Sequence, residues 1–195
     1  MQEQVKTAFI LQVHKNPNQV NDFVSQLIKD NGADIYIHID KKVRAEMESK
    51  LMKHPNVRIL NESLECGWGD VSQIDTTNLL MKEVISSQIH YDFVCLRSGQ
   101  DMLVNDGFLD FLQQNKGKIF MKTRDVSKQN LGLMEMHWPK FTRKRHPTLH
   151  PLRIYRRMIQ TLYRSGVNIT PNKKYWPKDY SFYNGSQWFT IPLAV

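Results

Sequence analysis

Tyr91 to Val104, YDFVCLRSGQDMLV, is an apolar strand that breaks off into a small polar turn carrying Ser98, Gly99 and Asp101. In an open α/β sheet the carboxyl ends of the strands are where connecting loops diverge and leave a crevice for a ligand. The turn therefore has two readings from its residues. Either Ser98 to Asp101 faces such a crevice, or these ordinary turn formers cap the helix that follows. The neighbouring segments bear on the choice.

Upstream, the periodicity alternates between strand and helix. Thr7 to His14 reads as a first strand, and Pro17 to Asn31 places Val20, Phe23, Val24, Leu27 and Ile28 on one helical face. Pro17 suits the first helical position, and Asn31-Gly32 suits the stop. Asp34 to Asp40, DIYIHID, alternates Ile35, Ile37 and Ile39 with Tyr36 and His38 and is predicted to be a strand. Val43 to Lys53 reads as a charged surface helix, and Asn56 to Leu60 as a third strand. Val71 to Ser86 is a predicted helix with Val71, Ile74, Met81, Val84 and Ile85 facing inward. A helix over Asp106 to Asn115 and a strand near Lys118 to Met121 follow the opening stretch. This alternation predicts an α/β fold with a mostly parallel sheet covered on both faces. Beyond Met121 the pattern weakens into a basic, irregular excursion with a short helix across Leu152 to Tyr163. The organisation expected is one domain over residues 1–195, with a ligand-binding half at 1–121 and a basic half at 122–195.

Composition narrows the class. With 195 residues and 41% hydrophobic content the chain supports one well-buried domain. No window approaches the roughly 18 consecutive apolar residues of a membrane span. The run Ala8 to Val13 is interrupted by Gln12 and lacks the features of a secretory signal. Cys66 and Cys95 stand in different elements outside any CxxC pair, which favours reduced thiols and a cytoplasmic setting over a disulfide or a zinc site.

Charge is segregated. Lys116 to Lys178 holds sixteen Lys or Arg against Asp125 and Glu135, in a chain whose net charge is +8. Such a surface suits phosphates or anionic headgroups, and peripheral contact at the inner face of a membrane fits it. No RNP, helix-turn-helix or zinc-finger pattern points to nucleic acid, so none is expected as a partner.

Five motifs then occur in order: ILQVHKNP at Ile10 to Pro17, IYIHIDKK at Ile35 to Lys42, CGWGDVSQID at Cys66 to Asp75, YDFVCLRSGQDMLV, and NGSQWFTI at Asn184 to Ile191. In this order and spacing they resemble the core-2/I-branching β-1,6-N-acetylglucosaminyltransferases and their peptide O-xylosyltransferase relatives. The resemblance runs from Thr7 to the last residue and is least specific over Asn130 to Tyr180. It implies a GT-A-like fold and inverting transfer of a sugar, N-acetylglucosamine or xylose, from a UDP-sugar to a hydroxyl of a glycan or lipid-linked saccharide, without a bound metal or other cofactor.

Set on the residues, that implication places the nucleotide-sugar against Val13, His14, Asp40, Trp68, Gly69, Ser98, Gly99 and Asp101. Val13 and His14 close the first strand, where backbone groups can hold a uracil edge, and Asp40 closes the second, where a carboxylate can accept from ribose or uracil. A strand-end cap explains His14 and Asp40 taken alone. His38, mid-strand between isoleucines, reads as a packed or hydrogen-bonded structural residue and stays outside the expected site. Trp68 beside Gly69 precedes a helix whose first N–H groups suit a phosphate or sugar oxygen, while a core plug with Asp70 as helix cap is the competing explanation. Gly185, Ser186, Gln187 and Trp188 read as a second aromatic turn and the expected acceptor subsite. A buried Trp at a strand start is the alternative there.

Metal independence is also read from the sequence, which contains no Asp-x-Asp; its one Glu-x-Glu, Glu46 and Glu48, falls in the charged helix. The leaving diphosphate then needs Lys or Arg, and Lys140, Arg143, Lys144 and Arg145 offer them, as they also offer an acceptor-side contact or a solvated face. The family's general base is a glutamate several helical turns past the Gly-Ser-x-Trp/Tyr-Phe segment, so it is expected beyond Val195, and Phe189 to Val195 reads as leading into that helix. Two other readings stand beside the enzyme: a non-catalytic homologue that binds UDP-sugar or glycan without a base, and a basic polyanion-binding protein.

Overall fold

The computed structural model describes residues 5–29, 33–67, 69–125, 136–138, 146–172 and 183–193. The chain packs as two compact units, Met1–Lys122 with Ser186–Val195, and Thr123–Gly185.

The first unit is built on Thr7–Val13 (β1), every residue of which is buried except the half-buried Gln12. Pro17–Ile28 (α1) starts with its proline in the first turn and buries Val20, Phe23, Val24 and Leu27, the face its spacing predicts. The stop expected at Asn31-Gly32 lies outside the described residues. Ala33–Ile39 (β2) is buried along its whole length, as befits a strand covered on both faces. Its alternation therefore sorts two cores. Ile35, Ile37 and Ile39 pack with Phe9, Leu11 and the α1 residues, whereas Tyr36 joins Ala8, Ile10 and Leu96 on the other side.

The predicted helix over Val43 to Lys53 is shorter in the structure: Arg44–Met47 (α2) runs into a single tight turn, Glu48–Lys50. Asn21 stops it, donating to the Lys50 carbonyl and accepting from the Met52 amide, both at short distances of 2.9 and 2.8 Å. That capture turns Leu51 into extended backbone and buries its side chain. Val57–Ile59 (β3) follows.

Ser72–Ser86 (α3) forms as predicted and turns Val84 and Met81 inward as expected, but the rest of its inward face differs. The buried row is Thr76, Leu80 and Val84, one residue per turn, with Met81 packed partly against it. Val71, Ile74 and Ile85, expected inside, are about half exposed. The physical reason is Thr76: its hydroxyl donates to the Ser72 carbonyl at 2.9 Å, so a polar residue enters the interior with its hydrogen bond made.

Phe93–Ser98 (β4), Phe108–Gln114 (α4) and Phe120–Asp125 (β5) come next, then Pro151–Arg164 (α5) and Tyr183–Pro192 (β6). The six strands lie in the order β3-β2-β1-β4-β6-β5. β1 pairs in parallel with β2 and β4, β2 in parallel with β3, and β6 antiparallel with β4. The fold is thus α/β, with a mixed, mostly parallel sheet flanked by helices. The second unit holds α5 and a short antiparallel bridge between Met136 and Pro171. Among the described residues no helix is long and apolar enough to cross a membrane.

Gly185 to Trp188 were expected to form a turn, and the structure corrects this: they lie inside β6. Phe189 to Pro192 also belong to this strand. The pairing of Leu96 with Phe189 and Cys95 with Thr190 holds the segment extended, and the β-forming run Trp188 to Ile191 outweighs the local preference of Gly and Ser for a turn.

Candidate functional site

The carboxyl ends of β1 and β2 are tied edge to edge. The Asp40 amide donates to the Val13 carbonyl at 2.8 Å, so the two strands end at one level of the sheet. Beyond Ile39 the Asp40 carboxylate, 7% exposed, accepts from two backbone amides, Lys42 at 2.9 Å and Cys66 at 3.3 Å. His38, buried two residues before Asp40, accepts the Leu64 amide at Nε2 over 2.8 Å, and the Leu64 carbonyl in turn accepts from the Lys41 amide at 3.1 Å. A strap over residues 64–67 is thereby sewn to the end of β2.

The far end of the strap is fixed to α3. The Gly67 amide donates to Ser72 Oγ at 2.9 Å, and Cys66 Sγ lies 3.1 Å from Thr76 Oγ1. Gly69 takes a left-handed backbone with φ of 71°, which only glycine adopts without strain and which lets the chain turn into the helix. Trp68 lies outside the described residues. Lys42 Nζ reaches back to the Cys66 carbonyl at 3.3 Å and pairs with Glu65 at 3.1 Å.

Between the strap and the end of β1 is a cleft of about 130 Å³. Val13, His14 and Asp40 line one side, Cys66 and Gly67 the strap side, and Gln12, His38 and Gln73 the floor. Gln12 is held there by donation of Nε2 to the Gln73 carbonyl and to Thr77 Oγ1, both at 2.9 Å, while its Oε1 accepts from Gln187 at 3.2 Å. His14 is exposed at the mouth.

The electrostatics of the floor follow from burial. Desolvation lowers the His38 pKa from its ordinary 6.5, against the opposing pull of the Asp40 charge. A neutral ring that accepts at Nε2 carries its proton on Nδ1. Burial likewise raises the Cys66 thiol above its ordinary value, although the hydroxyl of Thr76 works the other way. The cleft thus carries a neutral imidazole and two amides on its floor, a protonated thiol on the strap side and the carboxylate of Asp40.

Ser98, Gly99 and Asp101 sit at the adjacent end of β4 and do not line this cleft. Asp101 Oδ2 accepts the Ser98 amide at 2.9 Å, and Ser98 Oγ accepts from Gln100 at 3.2 Å, so the turn closes on itself. Nor does it cap the following helix, which starts only at Phe108. Gly99 has a packing role: a Cβ there would lie 2.8 Å from Val13 Cγ2 and 2.9 Å from Val20 Cγ2. Its amide donates to the Gln12 carbonyl at 3.1 Å, so the turn buttresses the wall that Val13 presents to the cleft.

On β6, Ser186 Oγ accepts the Trp188 amide at 3.2 Å, and Trp188 packs partly against the core around Leu80 and Leu96. Gln187 is exposed and meets the cleft through Gln12. Gly185 lies at the border of the other unit. Lys140, Arg143, Lys144 and Arg145 lie outside the described residues.

Sequence reasoning set Val13, His14 and Asp40 in the site, and the structure brings these three together. It left out Gln12, His38, Cys66, Gly67 and Gln73, which complete the lining. One signal was legible, since Gln12 is the polar interruption of an otherwise apolar strand.

A mostly parallel sheet with a polar cleft at its carboxyl rim places a ligand site where open α/β folds hold one, and it is consistent with a GT-A-like glycosyltransferase fold. The model of the Core-2/I-Branching enzyme family matches residues 7–192, and the chain belongs to that family. It is 30% identical over 129 residues to a protein named xylosyltransferase oxt from Drosophila melanogaster, and 28% identical over 127 residues to the protein of that name from Drosophila pseudoobscura pseudoobscura. Each match covers 62% of this chain and 14% of the relative, so the chain corresponds to a small part of those proteins.

Proposed function

We propose that the chain is a glycosyltransferase domain that binds a UDP-sugar in the cleft between β1 and the 64–67 strap and transfers the sugar, N-acetylglucosamine or xylose, with inversion to a hydroxyl of a glycan. The observation that supports this best is the cleft itself. Val13, His14 and Asp40 stand at two adjacent parallel strand ends under a strap anchored by Asp40 and His38. Backbone groups around Val13 and the remaining lone pairs of Asp40 suit the edge of a uracil or the hydroxyls of a ribose. The acceptor side is assigned to β6, where Gln187 is exposed and donates to Gln12 of the cleft.

Neither rim carboxylate serves as the general base in this scheme. Asp40 is engaged by two amides and Asp101 by its own turn, so neither is poised to take a proton from an acceptor hydroxyl. The transfer is proposed to proceed without a metal, with basic side chains compensating the diphosphate. Titration calorimetry of the chain with UDP, UDP-xylose and UDP-N-acetylglucosamine, with and without EDTA, tests the reading. Saturable binding that EDTA leaves unchanged supports it. Absence of binding by all three rejects the nucleotide-sugar site, and binding abolished by EDTA rejects metal independence.

A further inference from the structure

The second unit carries a helix with the build of a membrane-surface element. α5 buries Ile159 on one side and leaves Ile154 and Met158, four residues apart and therefore stacked on one face, 53% and 52% exposed on the other. Leu149, just before the helix, is 85% exposed. At about 100° per residue, Arg157 and Arg164 fall together along one flank of this apolar stripe, and both are exposed. No Asp or Glu occurs anywhere between residues 146 and 172. The helix is strongly amphipathic although polar on average, the combination that distinguishes helices lying in a membrane interface from those that span it.

From this arrangement we propose that α5 docks in the plane of an anionic lipid bilayer, with Leu149, Ile154 and Met158 entering the headgroup boundary and Arg157 and Arg164 on the phosphates. The pairing of features selects this occupant. A soluble polyanion or a nucleic acid would use the arginines and leave Ile154 and Met158 in water, whereas an apolar protein groove would gain nothing from an acid-free arginine flank. An anionic bilayer takes both at once, since the apolar side chains sit below the charge layer that the arginines neutralise.

Vesicle flotation tests this, with the full chain against neutral phosphatidylcholine and against a mixture containing about one-third phosphatidylglycerol. Binding to the anionic vesicles alone, weakened by salt, is the expected result. Arg157→Ala with Arg164→Ala should weaken it about 25-fold, from about 5-fold for each arginine. Ile154→Asp with Met158→Asp should abolish it, with UDP affinity unchanged. Hydrogen exchange on the unmodified chain gives a reading independent of whether the variants fold: protection over residues 149–164 on vesicle binding is expected, and its absence overturns the proposal. Equal binding to neutral vesicles overturns it too. So does vesicle binding by the double aspartate variant at wild-type strength with heparin competing, which would make the surface a soluble-polyanion site.

Discussion

Replacing Asp40 by alanine tests most sharply how the cleft is held open. The carboxylate accepts from the Lys42 amide at 2.9 Å and the Cys66 amide at 3.3 Å, and it is nearly buried. Hydrogen bonds to a charged group contribute about 1.5–3 kcal/mol, and the longer Cys66 contact falls at the weak end. Desolvating the charge offsets part of that gain. The net expected loss is about 3 kcal/mol, a large share of the roughly 5–15 kcal/mol that holds a domain folded. In a chain of this length it corresponds to a melting temperature lower by roughly 6–12 °C. Urea denaturation of Asp40→Ala should show the lower midpoint at unchanged slope, and calorimetry should show weakened UDP binding because the 64–67 strap has lost an anchor. Asp40→Asn should fall between, since its single amide oxygen can satisfy only one of the two N–H groups. A stability within about 0.5 kcal/mol of the parent, the range of ordinary surface substitutions, would refute the reasoning that Asp40 is a clasp.

Three further outcomes follow from the same geometry. Gly99→Ala drives a methyl to within 3 Å of Val13 and Val20, so it should cost about 1–3 kcal/mol by overpacking and weaken UDP binding through Val13; a thermal scan at parent stability would contradict it. His38 has a folded pKa below the 6.5 of the unfolded chain, so its contribution to stability is present above pH 6.5 and is lost as pH falls towards the folded value. The melting temperature should therefore drop on acidification below pH 6.5, with a smaller drop in His38→Gln, and equal pH profiles for the two proteins would exclude His38 as a source. Thiol labelling should modify Cys66 in the native chain, more slowly when UDP fills the cleft, and Cys95, whose thiol burial pushes up to about 11, only after unfolding. UDP without effect on Cys66 labelling would place the nucleotide elsewhere.

The strands β1 to β4 and α1 were legible because their apolar residues decide their burial alone: Ile35, Ile37 and Ile39 have no alternative to the interior. The face of α3 was not, because Thr76 is buried by virtue of a hydrogen bond to its own helix, which hydrophobic spacing does not register. The Gly185 to Trp188 segment was misread since it begins a strand whose next residues, Phe189 to Pro192, pair with β4, a partner some ninety residues away along the chain. In the site, Val13, His14 and Asp40 could be placed because a strand end fixes where they go. Gln12, Gln73 and Cys66 could not, since they reach the cleft only through the docking of α3 and the strap. The Ser98 to Asp101 turn stands at the rim, but its polar groups satisfy one another, and its contribution is the close approach of Gly99 to Val13.

The location of UDP is the most direct test. Amide shifts of the isotope-labelled chain titrated with UDP should move at residues 12–14, 38–40 and 64–67 and saturate together. Shifts confined to residues 146–172, or none at saturating UDP, would contradict the account.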